Sequence, residues 1–384
     1  MQTINVLRRR SNRLRPGLSL QFDYWLLLAV GALLVLGMLM VYSTTFDYGF
    51  LFKDDATYYI RRQFWAGVLG VVTAVVILFF DYQLLRKLSV PLMLGTLGLL
   101  AFLLFFGEAI FGATRGLFEG SYQPSEIAKL ATILYISHWL STKGERIKDV
   151  TYGLLPFSII TGIVCALIVR QPDLSTAVLI AITCFVIFFI AGADWRQFLI
   201  AGVVGGSAFF LLMLTLPHAR NRVDAYTAAL QDPSQAHWQV QQSLIALGSG
   251  GWTGVGLGRS TQKFGPLPAA HTDGVFAVVG EELGLLGAIL VIALFALLIW
   301  RGMVTATRAR DSFGALLAAG ITCWIGFQAL INLAVITAVI PFTGIPLPFM
   351  SYGGTSLTIT LVAVGILLNI SRDAALGRVP QEQT

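Results

Sequence analysis

The sequence predicts an all-α, polytopic membrane protein with about ten transmembrane helices, both termini cytoplasmic, and a long extracytoplasmic loop between spans 7 and 8. Three observations predict it. Of the 384 residues, 56% are hydrophobic and only 12% charged, against about a quarter charged in soluble domains. Ten apolar stretches recur along the chain, suited to a hydrocarbon core of about 30 Å that a helix crosses in about 20 residues. Lys and Arg are divided unevenly between alternate connections, as the positive-inside rule requires.

Residues 1–22 form a basic cytoplasmic tail that includes Arg8, Arg9, Arg10, Arg13 and Arg15. This flank resembles a signal peptide. The run that follows, 24–42, is too long for an h-region and no small-residue cleavage site comes after it, so it reads as an uncleaved first helix. The other apolar cores are 64–80, 88–106, 127–140, 154–169, 174–191, 198–216, 275–300, 313–340 and 357–370. The cores at 127–140 and 357–370 are short and need polar residues at one end, as do helices that neighbours shield from lipid. One membrane domain, 23–371, is thus followed by a cytoplasmic tail, 372–384. With the N-terminus inside, sixteen Lys and Arg fall inside and nine outside, and four of the nine lie in one long loop where the rule has little force. That loop, 217–274, is too long to be a structureless connection. It holds an apolar run at 240–247 and a glycine-rich stretch at 248–258, so part of it is expected to lie against the membrane or dip into the bundle.

Composition also excludes function classes. The net charge of +6 comes without a basic stripe or interleaved aromatics, so it orients the chain in the bilayer and points to no nucleic-acid partner. Cys165, Cys184 and Cys323 sit in apolar runs and read as small buried hydrophobes. His138, His218, His237 and His271 are too dispersed for a zinc motif, and no phosphate-cradling GxxxxGK[ST] loop occurs.

Four segments could carry chemistry. Gln123-Pro124-Ser125-Glu126 with Lys129 opens the fourth span, and Glu126 and Lys129 share one helix face. The pair is either a clasp within the bundle or part of a polar site, and ionisable residues in spans favour the second. Arg170-Gln171-Pro172-Asp173-Leu174-Ser175-Thr176 breaks an apolar stretch too long for one span; Asp173 or Ser175 either caps the next helix or contacts substrate. Pro268-Ala269-Ala270-His271-Thr272-Asp273 enters the helix carrying Gly280-Glu281-Glu282. Asp273 stands at the water–membrane boundary, with Glu281 about 12 Å deeper at helical rise. Residue types alone leave Asp273 open between a helix cap and a reactive carboxylate. Last, two prolines and a glycine pair interrupt 344–356, which includes Ser351; broken backbone at membrane depth lines a cavity or is buried in protein.

Taken together, these segments resemble the SEDS family of shape, elongation, division and sporulation proteins, typified by RodA and FtsW. The likeness runs over 36–370 and includes Val41-Tyr42-Ser43, Arg61-Arg62-Gln63, Gln171-Pro172-Asp173, the Gln242–Gly251 segment and Ser351-Tyr352-Gly353-Gly354. The 256–264 stretch looks more like the division branch, FtsW, than the elongation branch, RodA. Gly274 stands where the family usually has Phe, Ser175 where it usually has Gly, and Leu117 and Phe118 lie where a Trp is common. The resemblance implies a peptidoglycan glycosyltransferase of the bacterial inner membrane at the division septum, polymerising lipid II beside an FtsI-like class B penicillin-binding protein, other division or elongation proteins and membrane lipids. The family's outer-loop aspartate maps onto Asp273, expected to be the catalytic base. Substrate contacts are expected from Arg115, Gln123, Ser125, Glu126, Lys129, Asp173, Arg220, Arg259, Lys263, His271, Thr272, Glu281 and Ser351. A divalent cation, Mg2+ or Mn2+, would bridge the pyrophosphate to Asp173 or Asp273 if one takes part. The competing expectations are a lipid II flippase, a RodA-type elongation polymerase and a division scaffold.

Overall fold

The computed structural model describes residues 22–106, 108–110, 113–116, 123–232 and 235–376. The basic tail at 1–21, Leu117, Phe118 and the last eight residues lie outside them. Asp23 starts helix α1 (Tyr24–Lys53) by accepting from the amides of Trp25 and Leu26, both at 3.1 Å. α1 turns back into α2 (Tyr58–Phe79), which leads to α3 (Gln83–Phe106). A two-stranded antiparallel hairpin, β1 (Glu108–Ile110) and β2 (Ala113–Gly116), is the one departure from the all-α expectation among the described residues.

Pro124 occupies the first turn of α4 (Pro124–Ser141), where its missing N–H costs nothing. Short 3-10 and π turns then lead to α5 (Leu155–Val169) and, past the 170–173 turn, to α6 (Leu174–Ile190). Asp194 caps α7 (Trp195–Thr215). The long loop is built rather than structureless: it holds α8 (Pro217–Gln231) and α9 (Trp238–Ser249), and α9 packs on α10 (Val275–Arg308), as its apolar run predicts. α11 (Ser312–Ile336) and α12 (Gly354–Leu376) complete the bundle, with α12 running five residues past the expected end of the membrane domain.

Eight helical stretches are long and apolar enough to cross a membrane, and α6 is a shorter apolar helix of 17 residues. α4 carries charges, but it lies deep in the bundle against α3, α11, α6 and α12. That burial supports the reading of a short core shielded by its neighbours. The core is formed mainly by α4, α10, α11 and α12 with one face of α1. By contrast, Gln197 is the only buried residue of α7, and Phe64, Trp65, Leu199, Val203 and Phe210 are all exposed. An outward apolar surface suits a protein solvated by lipid.

α10 is not a continuous helix. Gly284 adopts φ +67°, and the freed backbone groups are taken up by the glycine-rich loop. Val255 N donates to Glu281 O and Gly256 N to Glu282 O, while Leu285 N and Leu286 N donate to Gly251 O and Trp252 O. This exchange pairs backbone groups that the helix break would otherwise leave unsatisfied. Gly254, itself at φ +80°, lies so close to Glu282 O that a Cβ would clash.

Candidate active site

The Glu281-Glu282 pair sits just before this break, and both carboxylates are fully engaged. Glu281 accepts from Ser260 Oγ, from the Thr261 amide at 2.8 Å and from Thr261 Oγ1 at 2.9 Å. Glu282 accepts from Ser43 Oγ at 2.7 Å and from Lys263 Nζ at 2.7 Å. Lys263 is buried, and its ammonium also reaches Ser43 Oγ at 2.8 Å. These two expected substrate residues therefore anchor the loop onto α10 and α1. Glu126 and Lys129 form a second buried pair at 2.8 Å. Lys129 donates to Gln328 Oε1 at 3.0 Å and lies over the Trp324 ring at 5.2 Å, tying α4 to α11. Ser125 is buried beside them.

Asp273 is arranged differently. The residue that caps α10 is Gly274, not Asp273. The Asp273 carboxylate is half-buried and accepts from Thr272 Oγ1 at 2.6 Å and from Gln239 Nε2 of α9 at 3.4 Å. Neither donor carries a charge, and among the described residues no backbone amide donates to the group. The helix-cap alternative is thereby removed for Asp273. It holds for Asp173, whose carboxylate accepts from the Thr176 amide at 3.2 Å as the cap of α6.

The backbone around Asp273 is fixed from three sides. Asn332 Nδ2 of α11 donates to Asp273 O at 2.9 Å and to Ile345 O at 2.8 Å. Tyr352 N donates to His271 O at 2.7 Å, and Ser351 Oγ donates to Thr272 O at 2.5 Å. Gln63 of α2 holds the same segment, donating to Ser351 O at 3.1 Å and accepting from Gly353 N at 3.0 Å. Ala269 and Phe349 take left-handed φ values of 51° and 64°. Such backbone costs about 1–3 kcal/mol each and persists only where its surroundings enforce it. Burial pulls the His271 imidazole below its ordinary pKa, with the Asp273 charge opposing.

Beside this knot lies a cavity of about 1250 Å³. Its long wall is apolar, with Val178 and Ile182 of α6 facing Phe209, Phe210 and Met213 of α7. Its polar lining includes Gln123, Arg220, Arg222, Asp224 and His237. Arg222 donates to Thr343 O at 3.0 Å and lies over Phe342 at 5.2 Å, on which His237 stacks at 4.6 Å. The 342–345 segment links the two places: Phe342, Thr343 and Ile345 line the cavity, and a Cβ placed on Gly344 would stand 3.4 Å from Asp273 Oδ2. His237 senses both groups, since burial and Arg222 lower its pKa while Asp273 raises it. Ser175 Oγ secures the same backbone through Thr343 O at 2.7 Å.

Of the remaining expected contacts, Arg220 stays at the cavity and the others lie apart from it. Arg220 is exposed and lies 3.8 Å from Asp224, Arg259 is exposed on the loop, and Arg115 lies on β2. Among the described residues no group of three His, Cys, Asp or Glu side chains is gathered as metal ligands. Gln63, Gln239, Gln328 and Asn332 are structural partners that the expected site residues omit, whereas Arg222 is among the outer cations that the sequence offers for the pyrophosphate. Gln328 and Asn332 carry a readable signal, because uncharged amides four apart inside an apolar span need partners.

Three kinds of similarity bear on this arrangement. The family described as "Cell cycle protein", FTSW_RODA_SPOVE, matches residues 24–376. A "Probable peptidoglycan glycosyltransferase FtsW" of Geobacter metallireducens is 39% identical over 357 residues, covering 91% of this chain and 95% of that protein. "Stage V sporulation protein E" of Bacillus subtilis is 40% identical over 357 residues, covering 91% and 97%. Among solved structures, a chain from a peptidoglycan synthase complex that coordinates polymerization and crosslinking superimposes with a TM-score of 0.75, 29% identity, and 92% and 98% coverage. Rod shape determining protein RodA of Thermus thermophilus gives 0.68, with 29% identity and the same coverage.

Proposed function

The chain belongs to the FtsW/RodA/SpoVE family of cell cycle proteins, and from that premise we propose that it polymerises lipid II into glycan strands during septal wall synthesis. It is a multi-pass membrane protein and an inverting peptidoglycan glycosyltransferase. The observation that carries the reading is Asp273: a carboxylate with neither cap role nor counter-ion among the described residues, near a cavity with an apolar wall and two arginines in its polar lining.

The donor sugar of lipid II is α-linked to pyrophosphate and the glycan product is β-linked, so the displacement inverts at the anomeric carbon. The acceptor's N-acetylglucosamine 4-hydroxyl forms the new C–O bond as the bond to pyrophosphate breaks. Asp273 takes the hydroxyl proton, the role of the general base in inverting sugar transfer. Undecaprenyl pyrophosphate leaves with the bonding pair. Arg222 and Arg220 stand in the polar lining of the cavity, where developing negative charge is stabilised, and the walls of α6 and α7 receive the polyprenyl chain. Ten spans, with α4 and α6 among them, and an extracytoplasmic site complete the reading. A class B penicillin-binding protein is the partner that cross-links the strands, in keeping with the synthase complex to which the fold is similar.

Asp273→Ala and Asp273→Asn are expected to abolish polymer formation from labelled lipid II while expression and membrane insertion persist. Normal polymer from purified Asp273→Ala with its partner would overturn the assignment. The flippase alternative relies on a polar pathway through the bundle, but Glu126–Lys129 and Glu282–Lys263 are closed pairs. Polymer formed in detergent, where no sidedness exists, separates synthesis from transport.

A further inference from the structure

Close to Asp273 in the chain, six aromatic rings form a continuous series of contacts. Phe52 meets Tyr48 at 5.0 Å, and Tyr48 meets His271 at 5.3 Å. His271 meets Tyr352 at 6.0 Å and Tyr59 at 6.4 Å, Tyr352 meets Tyr59 at 5.3 Å, and Tyr59 meets Tyr58 at 5.2 Å, so the three central rings close a triangle with one arm on either side. The row thus runs across the end of α1, the start of α2 and the 344–354 segment, and its centre is two residues from Asp273. Phe52 and Tyr48 are 65% and 45% exposed, and the four other rings are half-buried. Cations flank it: Lys53 Nζ lies 5.5 Å from the Tyr58 centroid, and Arg61 is exposed and pairs with Asp55 at 3.2 Å.

Aromatic residues collect at membrane interfaces for general reasons, where single rings face the headgroups. These rings face one another and the imidazole beside the proposed base instead. The edge-to-face contacts Tyr58–Tyr59 and Tyr59–Tyr352, at 86° and 84°, turn successive ring faces in different directions. An aromatic face is electronegative and the C–H faces of a pyranose are weakly electropositive, so an open ring face is a seat for a sugar. Lys53 and Arg61 would meet the carboxylates that stem peptides bring with each repeat.

Resting on the glycan polymerase reading above, we propose that the Phe52–Tyr48–His271–Tyr352–Tyr59–Tyr58 row is the binding track for the growing glycan strand, a β-1,4-linked chain of N-acetylated sugars. The strand's pyrophosphate end enters the cavity beside Arg222, its sugars extend over the rings, and the acceptor hydroxyl approaches Asp273 between the two.

The test is equilibrium binding of a soluble β-1,4-linked N-acetylglucosamine tetramer to the full chain in detergent, followed by ligand-observed NMR. Wild type is expected to bind saturably. Tyr48→Ala is expected to weaken binding about tenfold, equivalent to about 1.4 kcal/mol, and Tyr48→Phe to retain it, since the ring is the contact. Because Tyr48 is exposed, thermal melting of Tyr48→Ala should stay at the wild-type value, so a loss of binding is not a loss of fold. With lipid II, Tyr48→Ala should shift strand lengths downward. Absence of saturable binding by wild type, or equal affinity of Tyr48→Ala and wild type, overturns the track and leaves the rings as interfacial anchors. The tetramer assay needs no turnover, so its outcome is independent of the Asp273 substitutions that test the reaction itself.

Discussion

Asp173 and Asp273 both stand just before a helix, and their different employment separates structure from chemistry at the scale of one residue. Asp173 gives its carboxylate to the Thr176 amide, and Asp273 leaves its own to neutral side-chain donors. Asp173→Ala should therefore cost about 1 kcal/mol of stability, recovered by Asp173→Asn because asparagine caps equally well; thermal melts of the two variants check this. His271 makes a pH prediction of definite sign. Burial holds its pKa below the ordinary 6.5, so as pH falls through that value the unfolded chain binds the proton and the folded chain does not. Stability should decline below pH about 6.5, and His271→Gln should flatten that decline in melts across the range. Which aspartate was free could not be read from residue types, because both positions satisfy the same capping rule. The decision depends on Gly274 taking the cap position and on Gln239 arriving from a different helix.

At the scale of elements, the break in α10 and the glycine-rich loop are one device. The adjacent glutamates predict something other than a plain span, since two carboxylates in lipid need partners. The sequence alone could not reveal that the partners are Ser260, Thr261 and Lys263, about twenty residues upstream, because a loop's path depends on backbone pairing across the break at Gly284. Lys263 thus reads differently in structure than in sequence, where any outer-loop cation is a pyrophosphate candidate. Lys263→Ala leaves Glu282 buried without its counter-ion and should destabilise by about 3–5 kcal/mol, whereas Lys263→Met with Glu282→Gln should recover much of the loss. Folded yield and melting temperature distinguish this from a direct substrate role, in which the double variant would fold yet lose turnover. Gly254→Ala should unseat the same loop, because its Cβ meets Glu282 O and its backbone is left-handed.

For the whole molecule, apolar stretches and Lys and Arg asymmetry made the helical bundle legible, down to α4 and α12, whose short apolar cores are shielded by neighbours. The cavity was not legible, because its walls come from α6, α7, α8 and the 340–345 segment, none of which carries a periodic mark of facing another. Its composition nonetheless implies its use. α7 contributes almost nothing to the core, so Phe209, Phe210 and Met213 face α6 across space instead of packing into it. On the reading proposed above, a gap with apolar walls in a lipid-solvated protein would receive a hydrocarbon chain at little cost, and the arginines in its polar lining would favour a chain ending in phosphate. Ile182 lies on that wall and is 38% exposed, so a larger side chain there fills the gap without disturbing the core. Ile182→Trp should raise the apparent KM for lipid II by about three- to tenfold, up to about 1.4 kcal/mol, with a smaller effect on kcat. The same variant should discriminate less against a substrate carrying a farnesyl chain, which reaches a shorter distance along the wall. Steady-state kinetics with both chain lengths decide it: an equal penalty for the two would place the polyprenyl chain elsewhere and leave the cavity without a role in substrate binding.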